Sequence, residues 1–133
     1  MKNNIPASHM DLLKDETRAL AILATTMPDG SPQATPVWFD MDDDLICINT
    51  AHGRIKDRNM TARPRVAIVI VDPDNLYRYL QIRGSVKGST TDGAREHIDR
   101  LAEKYLGTPS YENYQGETRV SYCIQIESVN TMG

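Results

Sequence analysis

A chain of 133 residues, 40% hydrophobic and 25% charged, has an ordinary globular composition and enough length for one core, predicting a single domain over 1–133. Its formal net charge of −3 argues against non-specific nucleic-acid binding, and no apolar run approaches the length of a membrane span. The polar start Met1-Lys2-Asn3-Asn4 does not read as a signal peptide, and Cys47 and Cys123 have no metal-type spacing, so a cytoplasmic protein with buried free thiols and no bound metal is expected.

In chain order, residues 7–15 predict a short helix and 18–26 a strand, followed by the turn signal Pro28-Asp29-Gly30. Residues 31–39 predict a strand carrying Pro32 and Pro36, which places it at an edge, a bulge or a break, because proline cannot donate to a ladder. The aspartate-rich stretch 40–44 lacks the ligand spacing of a calcium loop and reads as a solvated hairpin tip leading into a strand at 45–50. Residues 65–72 form a continuous β-branched run, expected to be buried on both faces. A long strand follows over 77–87, with Tyr77, Tyr79, Gln81 and Arg83 on one face and Leu80 and Ile82 on the other. Thr91 or Asp92 is expected to cap a helix whose apolar stripe is Ala94, Ile98, Leu101, Ala102 and Tyr105, and Gly107 ends it. The last strand, 118–127, turns Val120, Tyr122, Ile124 and Ile126 inward. Six strands, one of them interrupted, with a single long helix fit an antiparallel α+β barrel better than a parallel sheet.

The most informative segment joins the strand at 45–50 to the apolar run. Between Arg54 and Arg65 it holds Arg54, Lys56, Arg58, Arg63 and Arg65 against the single acid Asp57. A short helix here, stopped before Pro64, presents unpaired N–H groups and a positive dipole end beside cationic side chains, which suits a phosphate. Lys56, Asn59 and Arg63 share a stripe at helical spacing, with Arg54 and Arg58 on the other side; Asp57 lies off the stripe and is expected to matter little to binding. Asn59, a poor helix former, implies a hydrogen-bonding duty. The segment therefore predicts a site for a phosphorylated small molecule, against the plainer reading of a solvated basic linker. His9, His52 and His97 have no metal spacing, Trp38 is expected in the core, and no nucleophile elbow, Walker loop or dinucleotide fingerprint occurs. With no acid, base or metal set in view, a bound cofactor would have to carry any difficult chemistry.

Several runs in order resemble one family: 24–38 with Gly30, Gln33, Pro36 and Trp38, then 49–60, Pro64-Arg65-Val66, Asp72-Pro73, Tyr77-Arg78-Tyr79 with Arg83-Gly84, and 98–107. The chain resembles the pyridoxamine-phosphate-oxidase-like split β-barrel proteins, and most nearly their flavin/deazaflavin oxidoreductases of the B type. The resemblance implies an FMN-binding split barrel fold and a cytoplasmic homodimer with cofactor sites at the subunit interface. It also implies an oxidoreductase passing a hydride between reduced deazaflavin coenzyme F-420 and a small conjugated acceptor. The implied alternatives are an FMN-dependent oxidoreductase and a non-catalytic flavin- or deazaflavin-binding module. By the same resemblance Arg54, Lys56 and Asn59 hold the phosphate, and Gln33, Pro36 and Val37 line the ring with backbone from Asn49 and Thr50. Tyr77 and Tyr79 approach the cofactor. No side chain is implied as catalytic acid or base. The resemblance does not extend to the C-terminal substrate-binding extension of true pyridoxamine phosphate oxidases, so vitamin B6 oxidation is not expected.

Overall fold

Alternation of apolar and polar residues near the end of the chain produces the strand on which the fold is organised. In the computed structural model, which describes residues 4–133, strand β7 (Arg119–Met132) buries Val120, Tyr122, Ile124 and Ile126 as expected. Before it come β1 (Leu20–Thr26), β2 (Pro32–Val37), β3 (Phe39–Asp42), β4 (Leu45–Ala51), β5 (Arg65–Asp72) and β6 (Asn75–Thr90). Helix α1 (Ile55–Ala62) joins β4 to β5, and α2 (Ala94–Leu106) joins β6 to β7. The expected helix at 7–15 is a 3-10 helix over Ala7–Leu13 followed by a second short turn. The polar start, residues 1–3, lies outside the described residues. Among the described residues no helix is long and apolar enough to cross a membrane.

All the strand pairs are antiparallel, in the order β2-β1-β5-β6-β7-β4-β3, so the fold is the α+β split barrel expected, with seven strands in place of six. The extra strand comes from the proline-bearing segment. Pro32 and Pro36 lie on β2, an edge strand that pairs only with β1; at Trp38 the chain leaves that ladder and continues as β3, paired with β4. The two ends of the sheet order are thus consecutive in the chain, and the seam between them carries no ladder. Inside, Leu23, Phe39, Ile46, Ile48, Ile68, Ile70, Leu80 and Ile82 form one core with the inward residues of β7. Each such side chain contributes roughly 1.5–3 kcal/mol of burial free energy.

Two further expectations are corrected. The run in β5 is fully buried on one face only: Val66, Ile68 and Ile70 are enclosed, while Ala67, Val69 and Val71 are half-buried on the outer face. Helix α2 is not capped by Thr91 or Asp92. Its N-cap is Gly93 in the left-handed region (φ 72°), and the Thr90 hydroxyl is spent accepting the Asp92 N–H.

Candidate functional site

The register of β4 against β7 builds the site. Thr50 opposes Val120 and Ala51 opposes Arg119, which brings Arg119 beside the end of β4, where α1 begins. Residues of β2, β4, α1, α2 and the loop before β7 then enclose a cleft of about 310 Å³. One end is cationic, with Arg54, Lys56 and Arg119. The other is largely apolar, with Leu20, Pro36, Val37, Trp38, Ile98 and Leu101. Past Arg54 and Asn113 the space continues into an open groove along His52, Gly53, Gln115 and Glu117.

The three cations are held differently. Arg119, only 5% exposed, donates from Nε to the Asn49 side-chain carbonyl (2.9 Å) and from Nη1 to the Glu117 carboxylate (2.9 Å). Asn49 is itself fixed, donating to the Ala94 carbonyl (2.8 Å) at the start of α2 and lying 3.3 Å from His97 Nδ1. His97 is buried between Ser121 Oγ (2.7 Å) and the Asp40 carboxylate (2.9 Å). A chain of side chains therefore runs from Asp40 through His97 and Asn49 to the guanidinium at the cleft. Lys56 has no comparable restraint. Burial, and then the positive charges of Arg54 and Arg119, pull its ammonium below the ordinary lysine range. Three like charges lining a cleft, one of them disfavoured by burial and by its neighbours, form a site that an anion would stabilise. Thr50 borders the cleft, but its hydroxyl is buried without a hydrogen-bond partner on the face of β4 that it shares with Ile46 and Ile48.

Of the residues expected at the site, the fold brings Pro36, Val37, Asn49, Thr50, Arg54 and Lys56 to this cleft. Asn49 contributes its side chain, as a strut for Arg119, where only its backbone was expected. Asn59 is a correction. It does perform the hydrogen-bonding duty inferred for it, but within the protein: it is 2% exposed, donates to Thr25 Oγ1 (3.0 Å) and accepts from Arg63 Nη2 (3.1 Å), tying α1 to β1. Arg63 also donates to the Thr26 carbonyl, so the stripe of Lys56, Asn59 and Arg63 is not a continuous anion-facing surface. Gln33 accepts from Thr25 Oγ1 in the same network, outside the cleft. Tyr77 and Tyr79 lie on β6 away from it, and Tyr77 is 84% exposed.

Asp57, expected to matter little to binding, has a structural duty of its own. Its buried carboxylate accepts from the Gly53 N–H (2.8 Å) and the Tyr122 hydroxyl, so it fixes the turn from β4 into α1. Trp38 was expected in the core, yet it lines the cleft, stacked on Tyr105 (centroids 5.5 Å apart, planes at 8°) with Tyr111 edge-on. Arg119, Tyr111 and Asn113 were missed, because nothing local marks them; only the pairing of Asn49 with Ser121 in the β4–β7 ladder carries them to the basic segment.

The family model for pyridoxamine 5'-phosphate oxidase matches residues 7–133 of the chain. Among solved structures, one described as F420 reductase is 32% identical, with 95% of this chain and 98% of that chain covered at a TM-score of 0.84. Two more distant structures share the fold. Rv2991 from Mycobacterium tuberculosis is 21% identical, covering 99% of this chain and 89% of that one at a TM-score of 0.71. HupZ from Group A Streptococcus is 20% identical, covering 96% and 93% at a TM-score of 0.68.

Proposed function

Because the chain belongs to the pyridoxamine 5'-phosphate oxidase family, we propose that it is an oxidoreductase that binds the deazaflavin coenzyme F-420 in the cleft described above and reduces a small conjugated acceptor. The observation that carries this reading is the cationic end formed by Arg54, Lys56 and Arg119, set against the apolar wall of Pro36, Val37 and Trp38. A phosphate belongs at the first and a planar ring at the second. The 32% identity to the F420 reductase favours the deazaflavin over FMN. So does the groove beyond Arg54 and Asn113, which offers a path for a charged tail longer than that of FMN.

When bound, the deazaflavin would supply the hydride chemistry. The chain's own residues would do the rest. Arg54, Lys56 and Arg119 would neutralise the phosphate. Asn49 keeps the Arg119 guanidinium in place, so the anion meets a preorganised group and less conformational entropy is lost on binding. Pro36, Val37 and Trp38 flank the ring and exclude water from one side of it.

A volume of about 310 Å³ stands at the small end of ligand sites, which run from about 300 to 1,000 Å³, so a second copy of the chain completes the site in this reading. Leu20, Leu76, Tyr77 and Met132 are exposed apolar side chains suited to such an interface, and Tyr77 and Tyr79 would reach the cofactor only from the partner's side.

Trp38, the sole tryptophan, makes the test direct, because a ring bound beside it quenches its emission. Purified protein is titrated with F-420 and with FMN, and reduced F-420 is then offered with a panel of quinones and conjugated carbonyls. Quenching by F-420 and oxidation of its reduced form by an acceptor support the proposal. Binding of FMN alone would overturn the choice of cofactor. Binding of F-420 without turnover on any acceptor would favour a carrier or sensor.

A further inference from the structure

The outer face of β3, β4 and β7, beneath the N-terminal half of α2, gathers a second set of polar side chains. Asp40 and Asp42 on β3, Cys47 and Asn49 on β4, and Ser121 and Cys123 on β7 share this face, because Asp40 opposes Cys47 and Cys47 opposes Cys123. Asn49 and Ser121 are used in the strut toward the cofactor cleft, and Asp40 in holding His97. Asp42, Cys47 and Cys123 serve neither purpose. Their carboxylate oxygen and two sulfurs all lie within 4.8 Å of one another. The two thiols lie directly opposite across a ladder, with the carboxylate diagonally adjacent. Cys47 is buried yet stands apart from the hydrophobic core.

We infer that Asp42, Cys47 and Cys123 form a binding site for one thiophilic divalent cation of the zinc type. Two thiolates and a carboxylate are a ligand set that zinc accepts, with a fourth, open position for water. A tetrahedral ion with Zn–S bonds of about 2.3 Å brings two thiolates to about 3.8 Å apart, so small side-chain rotations close the site. Cys123 and Asp42 border a cleft of about 470 Å³, which gives the ion a way in. That cleft carries the carboxylates of Asp40, Asp42, Asp92 and Glu96 against the guanidinium of Arg100, an excess of negative charge that attracts a cation. Binding exchanges the cation for the two thiol protons, with no change in oxidation state. Neither cysteine suggests this in the sequence, because their separation of 76 positions is closed only by the β4–β7 register.

The test uses the full chain, kept reduced with a phosphine so that the thiols cannot pair oxidatively. Cobalt(II) is the spectroscopic probe, and zinc the competitor. Expected are near-ultraviolet thiolate-to-cobalt charge transfer and visible tetrahedral bands, saturating at one equivalent per chain and abolished by zinc. Cys123→Ser should weaken binding about a hundredfold or more and cut the charge-transfer intensity per bound cobalt to about half, while Asp42→Asn should weaken binding about tenfold. Circular dichroism and the Trp38 emission verify that each variant is folded. Zinc should raise the melting temperature of the wild type but not of Cys123→Ser. Failure of the reduced wild type to bind cobalt would overturn the inference, as would a cobalt affinity and charge-transfer intensity in folded Cys123→Ser equal to those of the wild type.

Discussion

Replacing Lys56 by alanine is the sharpest probe of the cationic cleft. In the free protein the ammonium is disfavoured by burial and by Arg54 and Arg119, so its removal relieves repulsion and the melting temperature should hold or rise. In the proposed complex the same group would meet the phosphate through a charge-assisted hydrogen bond worth roughly 1.5–3 kcal/mol. Affinity for F-420, read by Trp38 quenching, should therefore fall by about one to two decades. The loss should be larger at low salt than at high salt, since screening already erodes the wild-type attraction. A pH profile separates charge from shape. The free-state lysine loses its proton below the ordinary lysine range, and only the protonated form attracts the phosphate; wild-type affinity should weaken as pH rises through that lowered value. The sign for stability is opposite. The folded state binds fewer protons than the unfolded chain between the lowered value and 10.5, so this group makes the free protein more stable as pH rises across that window. Lys56→Arg should keep the affinity and lose the pH dependence. Unchanged affinity in Lys56→Ala at low salt would refute the phosphate assignment.

Asp57→Ala should loosen the turn from β4 into α1, because the Gly53 N–H loses its acceptor, while the Tyr122 hydroxyl keeps the backbone carbonyl of position 57 and Thr61 Oγ1; one lost hydrogen bond is worth about 1 kcal/mol, so the melting temperature should drop by a few degrees. A melting curve equal to the wild type would show that water replaces the carboxylate without penalty. Gly84→Ala places a Cβ 2.3 Å from the Gln125 backbone oxygen at the bulge between β6 and β7, so the ladder must move; we expect a loss at or above the ~1–3 kcal/mol of ordinary overpacking, seen as a lowered denaturant midpoint or a lack of soluble protein. A midpoint matching the wild type would contradict the register there.

What could be seen in the sequence was whatever lay within one element. The alternation in β7, the amphipathic stripe of α2 and the position of the proline-bearing strand at an edge all follow from local periodicity, and each is observed. The basic segment was legible as charge but not as geometry. Helix α1 has no apolar stripe to orient it, so its packing is decided by polar contacts: Asn59 with Thr25, and Arg63 with the Thr26 carbonyl. Those partners lie more than 30 residues away, and no spacing rule reaches them. The same holds for Arg119, and for the thiol pair, where adjacency is created by strand register alone. Trp38 escaped because a break between strands leaves its side chain outside the ladder, free to stack on Tyr105.

The contact between Arg119 and Asn49 joins residues 70 positions apart, and it also sets an order of events. During synthesis β4 and α1 emerge with their apolar row of Ile46 and Ile48 and their cations long before β7 arrives to pair with them. Closing so long a loop is entropically slow, so local hairpins such as β1–β2 and β3–β4 have time to form first. The cleft is then among the last features to appear, and a nascent chain halted before residue 119 carries Arg54 and Lys56 without the Arg119 that completes the cluster. Under the function proposed above, capture of a cofactor would thus report that the barrel has closed.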